Sequence, residues 1–262
     1  RRALMKNMKK IVSVTLVVAM AAMMFAGCGS SSKKTSDTKS SEDTLIMATN
    51  AAFPPYEYVE GKDYKGIDVE IAQAIADKLG MKLEIKDVEF GSIIGGVQSG
   101  KFDMGMAGIT VTKDRQKSVA FSDPYATAIQ SVIVKEGSSI TSVDSITKNT
   151  KIGVQQDTTG DIYASDDYGD DAVVRYNKGA DAVAALVSGK VDCVIIDNEP
   201  AKAFVAANDG LQLLDSAYAE EEYAICVAKD NDELLGKINT ALKSLKDDGT
   251  IDSIVSKYIV SK

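Results

Sequence analysis

From Leu45 onward, short apolar runs alternate with longer stretches whose apolar positions recur at helical spacing. The runs LIMAT (45–49), KLEIKDV (82–88) and FDMGMA (102–107) read as strands, and 68–79 and 93–99 between them read as helices. Such alternation predicts an α/β chain with mainly parallel sheets. The pattern also echoes itself: VQSGKFDMGM from Val97 matches LVSGKVDCVI from Leu186 at a constant offset of 89. In each copy a helix ends at Ser-Gly and a strand begins through Lys-x-Asp. Gly-Lys-x-Asp is also a common helix-to-strand turn, yet two lobes built alike is the economical reading. Farther on, YAICVAK (223–229) predicts a strand, and 231–248 and 249–258 predict two closing helices. The expected division is lobe 1 at 43–132 plus 226–262 and lobe 2 at 133–225. Two extended crossings, at 131–134 and 223–228, would form a hinge between them.

The first 27 residues break this pattern. Arg1, Arg2, Lys6, Lys9 and Lys10 precede an uncharged apolar run over 11–25, which closes on Phe25-Ala26-Gly27-Cys28. The run is shorter than the ~20 residues a spanning helix needs. A charged start, a short apolar stretch and small residues before a cysteine describe an export signal over 1–27, with Cys28 as the lipidated end of the mature chain; plain secretion with a free Cys28 is the alternative. The stretch 28–42, rich in Ser, Thr and Lys, is too polar to order itself and reads as a flexible tether. Loss of the leader removes five of the 30 basic residues and none of the 38 acidic ones, taking the net charge from −8 to −13. That balance keeps the body off anionic lipid and leaves an acyl chain as its membrane contact.

Composition narrows the chemistry further. An acidic chain of 262 residues is a poor partner for a phosphate backbone, so no nucleic acid is expected. The absence of histidine removes Ser-His and Cys-His nucleophile activation and most imidazole metal ligation. No cofactor motif is present, and no GxxxxGK[ST] occurs. The acidic pairs Asp166-Asp167 and Asp170-Asp171 lack calcium-loop spacing and read as a solvated loop, so no metal is expected. Cys193 and Cys226 lie in apolar runs, where either a disulfide or two buried thiols would fit.

Four segments each follow an apolar strand and precede a helix: 49–58, 107–115, 155–160 and 197–200. In open α/β sheets ligands gather at the carboxyl ends of strands, so the four point at one crevice. Thr112 reads as the N-cap of a helix over 113–119, which puts Arg115 in the first turn, where a cation opposes the helix dipole. That placement makes sense if Arg115, with free backbone N–H groups, holds an anion; a solvated Arg beside Asp114 or Asp123 is the alternative. Thr158 and Thr159 offer a second helix start, as ligand contacts or as plain caps. Asp197 ends a strand, with Pro200 as the expected first helical residue, and serves either an ammonium group or the helix as its cap. Phe53 and Phe90 supply flat apolar faces or simply core. A fork for a carboxylate, an acid for an ammonium and apolar walls between them describe a free α-amino acid.

Taken in order, these residues resemble the polar amino-acid family of solute-binding proteins that serve ABC importers (family 3 type). The resemblance rests on GIDVEI (66–71), continuing to Ile75, Ala76 and Leu79, and on FDMGMAGITVTKDRQKSVAFSDPY (102–125), and it spans nearly all of 43–262. It implies a two-lobed periplasmic-binding-protein-like fold of type II, with a ligand cleft between lobes and a two-strand hinge. It also implies a monomer without catalytic residues that hands a free amino acid to membrane permease and ATPase subunits. By the same resemblance Phe53 and Phe90 stack on the ligand, Gly108 and Thr110 contact it, Arg115 clamps its carboxylate with Thr159, and Asp197 accepts from its ammonium. Asn50 and Ala107 stand where other members carry Asp and Ser. With Gln155, Gln156 and Glu57 nearby, they suggest a neutral, polar side chain. Two rivals share the fold: a dehydratase-like enzyme using Glu57, Asp157, Asp197 or Glu199 as general acid, and a sensory ligand module.

Overall fold

A computed structural model describes residues 43–215 and 217–259, which belong to one compact unit. The expected export signal, Cys28 and the tether lie outside the described residues. The chain runs β1 (Thr44–Thr49), β2 (Ala52–Phe53), β3 (Glu57–Glu60), β4 (Asp63–Lys65), α1 (Ile67–Leu79), β5 (Lys82–Asp87), α2 (Gly91–Gln98), β6 (Met104–Gly105) and β7 (Val119–Phe121). It continues with β8 (Ala126–Lys135), β9 (Ile152–Gln155), α3 (Thr159–Tyr168), β10 (Val173–Tyr176), α4 (Gly179–Val187), β11 (Cys193–Asp197) and α5 (Asn198–Ala207). The last elements are β12 (Leu211–Leu213), β13 (Ala219–Tyr223), β14 (Cys226–Ala228), α6 (Asp232–Asp247) and α7 (Thr250–Tyr258).

Two mixed sheets result. One has the order β5-β1-β6-β14-β7, the other β10-β9-β11-β8-β12 with β13 also on β8, and β2-β3-β4 form a small antiparallel sheet beside them. β1 pairs in parallel with β5 and β6, and β9 in parallel with β10 and β11. The echo has a physical basis. Gly100 and Gly189, at φ 74 and 73, take the left-handed turn that closes α2 and α4. Asp103 then accepts from the Ile46 amide at 2.7 Å and Asp192 from the Lys151 amide at 2.8 Å, each tying its new strand to the start of the neighbouring one.

The chain passes between the sheets twice, after β7 and after β13. The segments are laced side by side: the Ser122 amide donates to Ile225 O at 2.8 Å, and the Tyr125 amide to Tyr223 O at 2.9 Å. Residues 131–134, read from sequence as the first crossing, lie instead inside β8, and the expected division at 132/133 falls within that strand. The reason is that β8 is the hub of its sheet, pairing with β11, β12 and β13, so its apolar run is core and not connector. Cys193 sits in β11 and Cys226 in β14, each a buried free thiol in a different sheet. Burial pushes both thiols up to about 12, so neither is an attacking thiolate.

Helix α1 fixes the geometry that matters below. Ile71, Ala72, Ile75 and Ala76 are buried on one face, packed toward α6 and α7; full burial of each Ile is worth about 1.5–3 kcal/mol. Its start is pinned to the loop after β2: the Ile67 amide donates to Pro55 O at 3.1 Å and the Asp68 amide to Tyr56 O at 2.9 Å. Only glycine allows this approach, because Gly66 has φ 121 and a Cβ there would stand 2.2 Å from Tyr56 O. Gly66→Ala is therefore expected to cost at least about 2 kcal/mol in thermal unfolding. Gly61→Ala, at φ 65 with open space around it, should cost visibly less; equal losses would remove the close-approach argument.

Candidate functional site

The carboxyl ends of β1, β6, β9 and β11 meet at one cavity. It is lined by Asn50, Phe53, Glu57, Phe90, Ala107, Gly108, Thr110, Arg115, Gln155, Thr158, Thr159 and Asp197. Of the residues that the sequence nominated for the ligand and its side-chain pocket, all but one are brought together there, Glu57 included. Gln156 is not among them. Alternation along the strand that ends at Gln155 turns Gln156 to solvent, where its amide reaches Asp157 Oδ2 at 3.4 Å.

Arg115 is held on the first sheet's side and is 8% exposed. The expected helix over 113–119 is only a 3-10 turn, Arg115–Lys117, and the Thr112 hydroxyl already accepts from the Arg115 amide at 3.1 Å. Helix amides therefore give no anion site here, and the grip falls to the guanidinium. Its Nη1 donates to Thr110 O at 2.9 Å and its Nη2 to Asp157 O at 3.1 Å, while the fork lies 5.3 Å over the Phe90 ring. These carbonyls use two of its five donors, and the rest can meet a carboxylate. Asp114 pairs with Lys117, so it is not the partner of Arg115. Burial presses the Arg115 pKa below its usual value, against the pull of Glu221, Cys226 and Asp197.

Asp197 faces the cavity from the end of β11. Helix α5 begins at Asn198, which puts Pro200 inside the first turn, and the Asp197 side chain makes no cap. It accepts instead from the Tyr223 hydroxyl, whose ring stands edge-on to Tyr56 at 5.1 Å. Burial, then the charge of Glu221, raises its carboxyl to about 7, against the donations of Tyr223 and Gln130. Thr158 caps α3: its hydroxyl donates to Gln155 O at 2.7 Å and accepts from the Asp161 amide at 3.4 Å. Thr159 Oγ1 accepts from Gln130 Nε2 at 3.3 Å.

Contacts cross directly between the two sheets' loops. Gln155 Nε2 donates to Asn50 Oδ1 at 2.9 Å, and the Thr110 and Thr159 hydroxyls are 3.5 Å apart. Glu221 on β13 collects Thr110 Oγ1 at 3.1 Å and Gln130 Nε2 at 3.0 Å. Sequence reading missed Gln130, whose signal is a polar residue facing inward on the largely apolar β8, and Glu221, which nothing local distinguishes from its neighbours Glu220 and Glu222. It also missed Asp68, which accepts from the Gly108 amide at 2.9 Å and the Tyr125 hydroxyl at 2.7 Å just behind the cavity wall.

Of the acids that an enzyme on this fold could use, only Glu57 and Asp197 line the cavity; Glu199 pairs with Lys202 at 2.6 Å. In the acidic loop Asp170 pairs with Arg175 at 2.7 Å. Among the described residues no group of three or more Asp, Glu or Cys is arranged to hold a metal ion, and no helix is long and apolar enough to cross a membrane.

Two α/β sheets, joined by a laced double crossing and closing on a small cavity that holds one buried cation and two buried acids, make a two-lobed solute-binding protein of type II. The chain belongs to the bacterial extracellular solute-binding proteins, family 3, whose model matches residues 45–261. It is 34% identical over 253 residues to the arginine-binding extracellular protein ArtP of Bacillus subtilis (strain 168), covering 94% of this chain and 97% of that one. It is 32% identical over 267 residues to the ABC transporter glutamine-binding protein GlnH of the same organism, covering 96% and 98%. Among solved structures, an ancestral arginine-binding protein bound to arginine matches with a TM-score of 0.79 at 40% identity, over 83% of this chain and 99% of that one. An ancestral arginine-binding protein bound to glutamine matches at 0.78 and 39%, over 84% and 99%. These relatives are binding proteins and not enzymes, and the family's extracellular character places this chain outside the cytoplasm.

The raised carboxyl of Asp197 has a cost in stability. A carboxyl that binds its proton more tightly folded than unfolded favours folding at low pH, and that contribution is lost as pH rises through the folded value of about 7. Asp197→Asn without ligand is thus expected to melt above the parent at about pH 8, the gap narrowing as pH falls toward about 4. Parallel melting curves at both ends of this range would contradict the assignment.

Proposed function

We propose that this protein is the receptor of an amino-acid ABC importer, and that its cavity takes a free α-amino acid by closure of the two lobes. The ligand's carboxylate meets the Arg115 fork with Thr159, and its ammonium meets Asp197. Phe53 and Phe90 flank its stem, Ala107, Gly108, Thr110 and Thr158 line the near wall, and the side chain points toward Asn50, Glu57 and Gln155. The observation that carries this reading is a buried guanidinium, Arg115, and two buried acids, Asp197 and Glu57, lining one cavity. A ligand that touches both sheets' loops favours the closed form by its differential affinity, and the closed form is what a permease and its ATPase would receive.

The side chain we propose is cationic, with a guanidinium head as the best fit. The preference for a neutral side chain rested on Asn50, Ala107, Gln155, Gln156 and Glu57, but Asn50 and Gln155 are bonded to each other and Gln156 is turned to solvent. Glu57, 1% exposed, lines the cavity beside the charges of Asp68, Asp197 and Asp87, with no cation among the described residues set against it. A second anionic wall beyond Asp197 calls for a second positive charge on the ligand. The arginine-binding relatives support this, and the ancestral protein's glutamine complex keeps glutamine as the second reading.

Thermal unfolding of residues 41–262 against each of the twenty amino acids tests the proposal. A ligand at about 1,000 times its Kd adds roughly 4 kcal/mol, so arginine should stand several degrees clear, and Arg115→Ala should erase the shift. No shift with any amino acid would exclude this ligand class. We further propose that Cys28 carries the lipid anchor and 28–42 the tether. On expression of the full chain in a bacterium, Cys28→Ser should move the protein from the membrane fraction to the soluble one; unchanged partitioning would refute the anchor.

A further inference from the structure

Behind the cavity wall lies a second acid. Asp68 is 0% exposed, and its Oδ2 accepts from both the Gly108 amide and the Tyr125 hydroxyl. Its Oδ1 and the Oε2 of Glu57 are buried without any donor, and the two carboxyls lie within hydrogen-bonding reach of each other. If both were ionised, two anionic oxygens would face one another in a dry wall with nothing between them. One proton satisfies both. Asp68 already collects two donors that stabilise its charge, so the proton belongs on Glu57, whose O–H then donates to Asp68 Oδ1. The pinning of α1 to the loop after β2 by Gly66 holds the pair in this position.

We infer that Glu57 and Asp68 share one proton before a ligand enters, that a cationic side chain expels it to solvent on settling against Glu57, and that a neutral amide side chain leaves it in place. Asp68, which does not line the cavity, is on this account a positioning residue that sets the charge of Glu57 and so the choice between arginine and glutamine. The inference rests on the amino-acid reading above and deepens it. The charges that bear most on Glu57 are Asp68 on α1, Asp197 at the end of β11 and Asp87 at the end of β5, all acidic. The Tyr125 and Tyr56 phenols also feel the Glu57 charge. Burial first, and then Asp68, holds the Glu57 carboxyl well above the usual range, while the Asp68 carboxyl sits at about 6. The proton released by arginine comes from one O–H bond of the pair and goes to buffer; no other bond changes.

Calorimetry of residues 41–262 at pH 7, with arginine and with glutamine in buffers of different ionisation enthalpy, counts the protons. Asp197 meets the ammonium of either ligand and contributes equally to both counts, so the difference isolates the pair. Arginine is expected to release about one proton more than glutamine, and the ratio of their affinities to fall toward tenfold per unit as pH drops below 7. Asp68→Asn, which offers Glu57 an amide donor in place of a shared proton, should flatten that ratio between pH 6 and 8. A merely structural loss would weaken both ligands alike and keep the slope. Glu57→Gln, which spares α1, should remove both the slope and the preference for arginine. Equal proton counts for the two ligands, or a ratio that ignores pH, would overturn the shared proton while leaving the amino-acid reading intact. Binding of neither would overturn both.

Discussion

Buried negative charge in search of a counter-charge is the constraint around which this molecule is organised. Glu57, Asp68, Asp197 and Glu221 are all less than a tenth exposed, and Arg115 is the single buried cation among the described residues. Carboxylates taken out of water are expensive unless hydrogen-bonded or paired. The fold answers with neutral donors: the Gly108 amide, the Tyr125 and Tyr223 hydroxyls, Thr110 and the Gln130 amide. These soften the cost without cancelling it, which is why Asp197 and Asp68 bind protons more tightly than free carboxyls do. A solute that brings its own positive charge completes what the chain leaves incomplete.

The scaffold makes that incompleteness affordable by settling everything around it. Each sheet closes its own helix-to-strand corner, at Gly100 and Asp103 in one and at Gly189 and Asp192 in the other, so the strand ends that carry the site are fixed by backbone pairing. Side chains at those ends then need few further supports. Phe90 under the guanidinium and Tyr56 against Tyr223 are such supports, each an apolar ring set beside a charged or hydroxyl-bearing group.

Much of this was legible in the sequence, for a definable reason. Strand-end positions are marked by local signals, an apolar run followed by Thr, Asp or Gly, and those signals located the four segments of the site, with Thr158 and Asp197 among them, without any knowledge of packing; Asn50 and Gly108 were singled out by the family resemblance. What escaped was whatever depends on a distant partner. The pattern in Ser131–Val134 could not say that three strands would pair with it. Thr112 looked like the cap of a full helix, but the turn it starts ends at Lys117. Asp68 reads as an ordinary acid in the first turn of an amphipathic helix, a place where acids are favoured anyway. Only the three-dimensional approach of α1 to the loop after β2 shows that it faces Glu57.

The lacing of the two crossings has a mechanical consequence. Ser122 bonds Ile225 twice, its amide donating to the carbonyl and its hydroxyl accepting from the amide at 3.0 Å, and Tyr125 bonds Tyr223 just beyond. Two strips joined edge to edge in this way resist sliding past one another but yield readily to bending across their width. Under the closure we propose, bending of this joint is the swing that opens and shuts the mouth of the cleft. Sideways misalignment of the two halves, which would separate Arg115 from Asp197, is the deformation the joint is stiffest against.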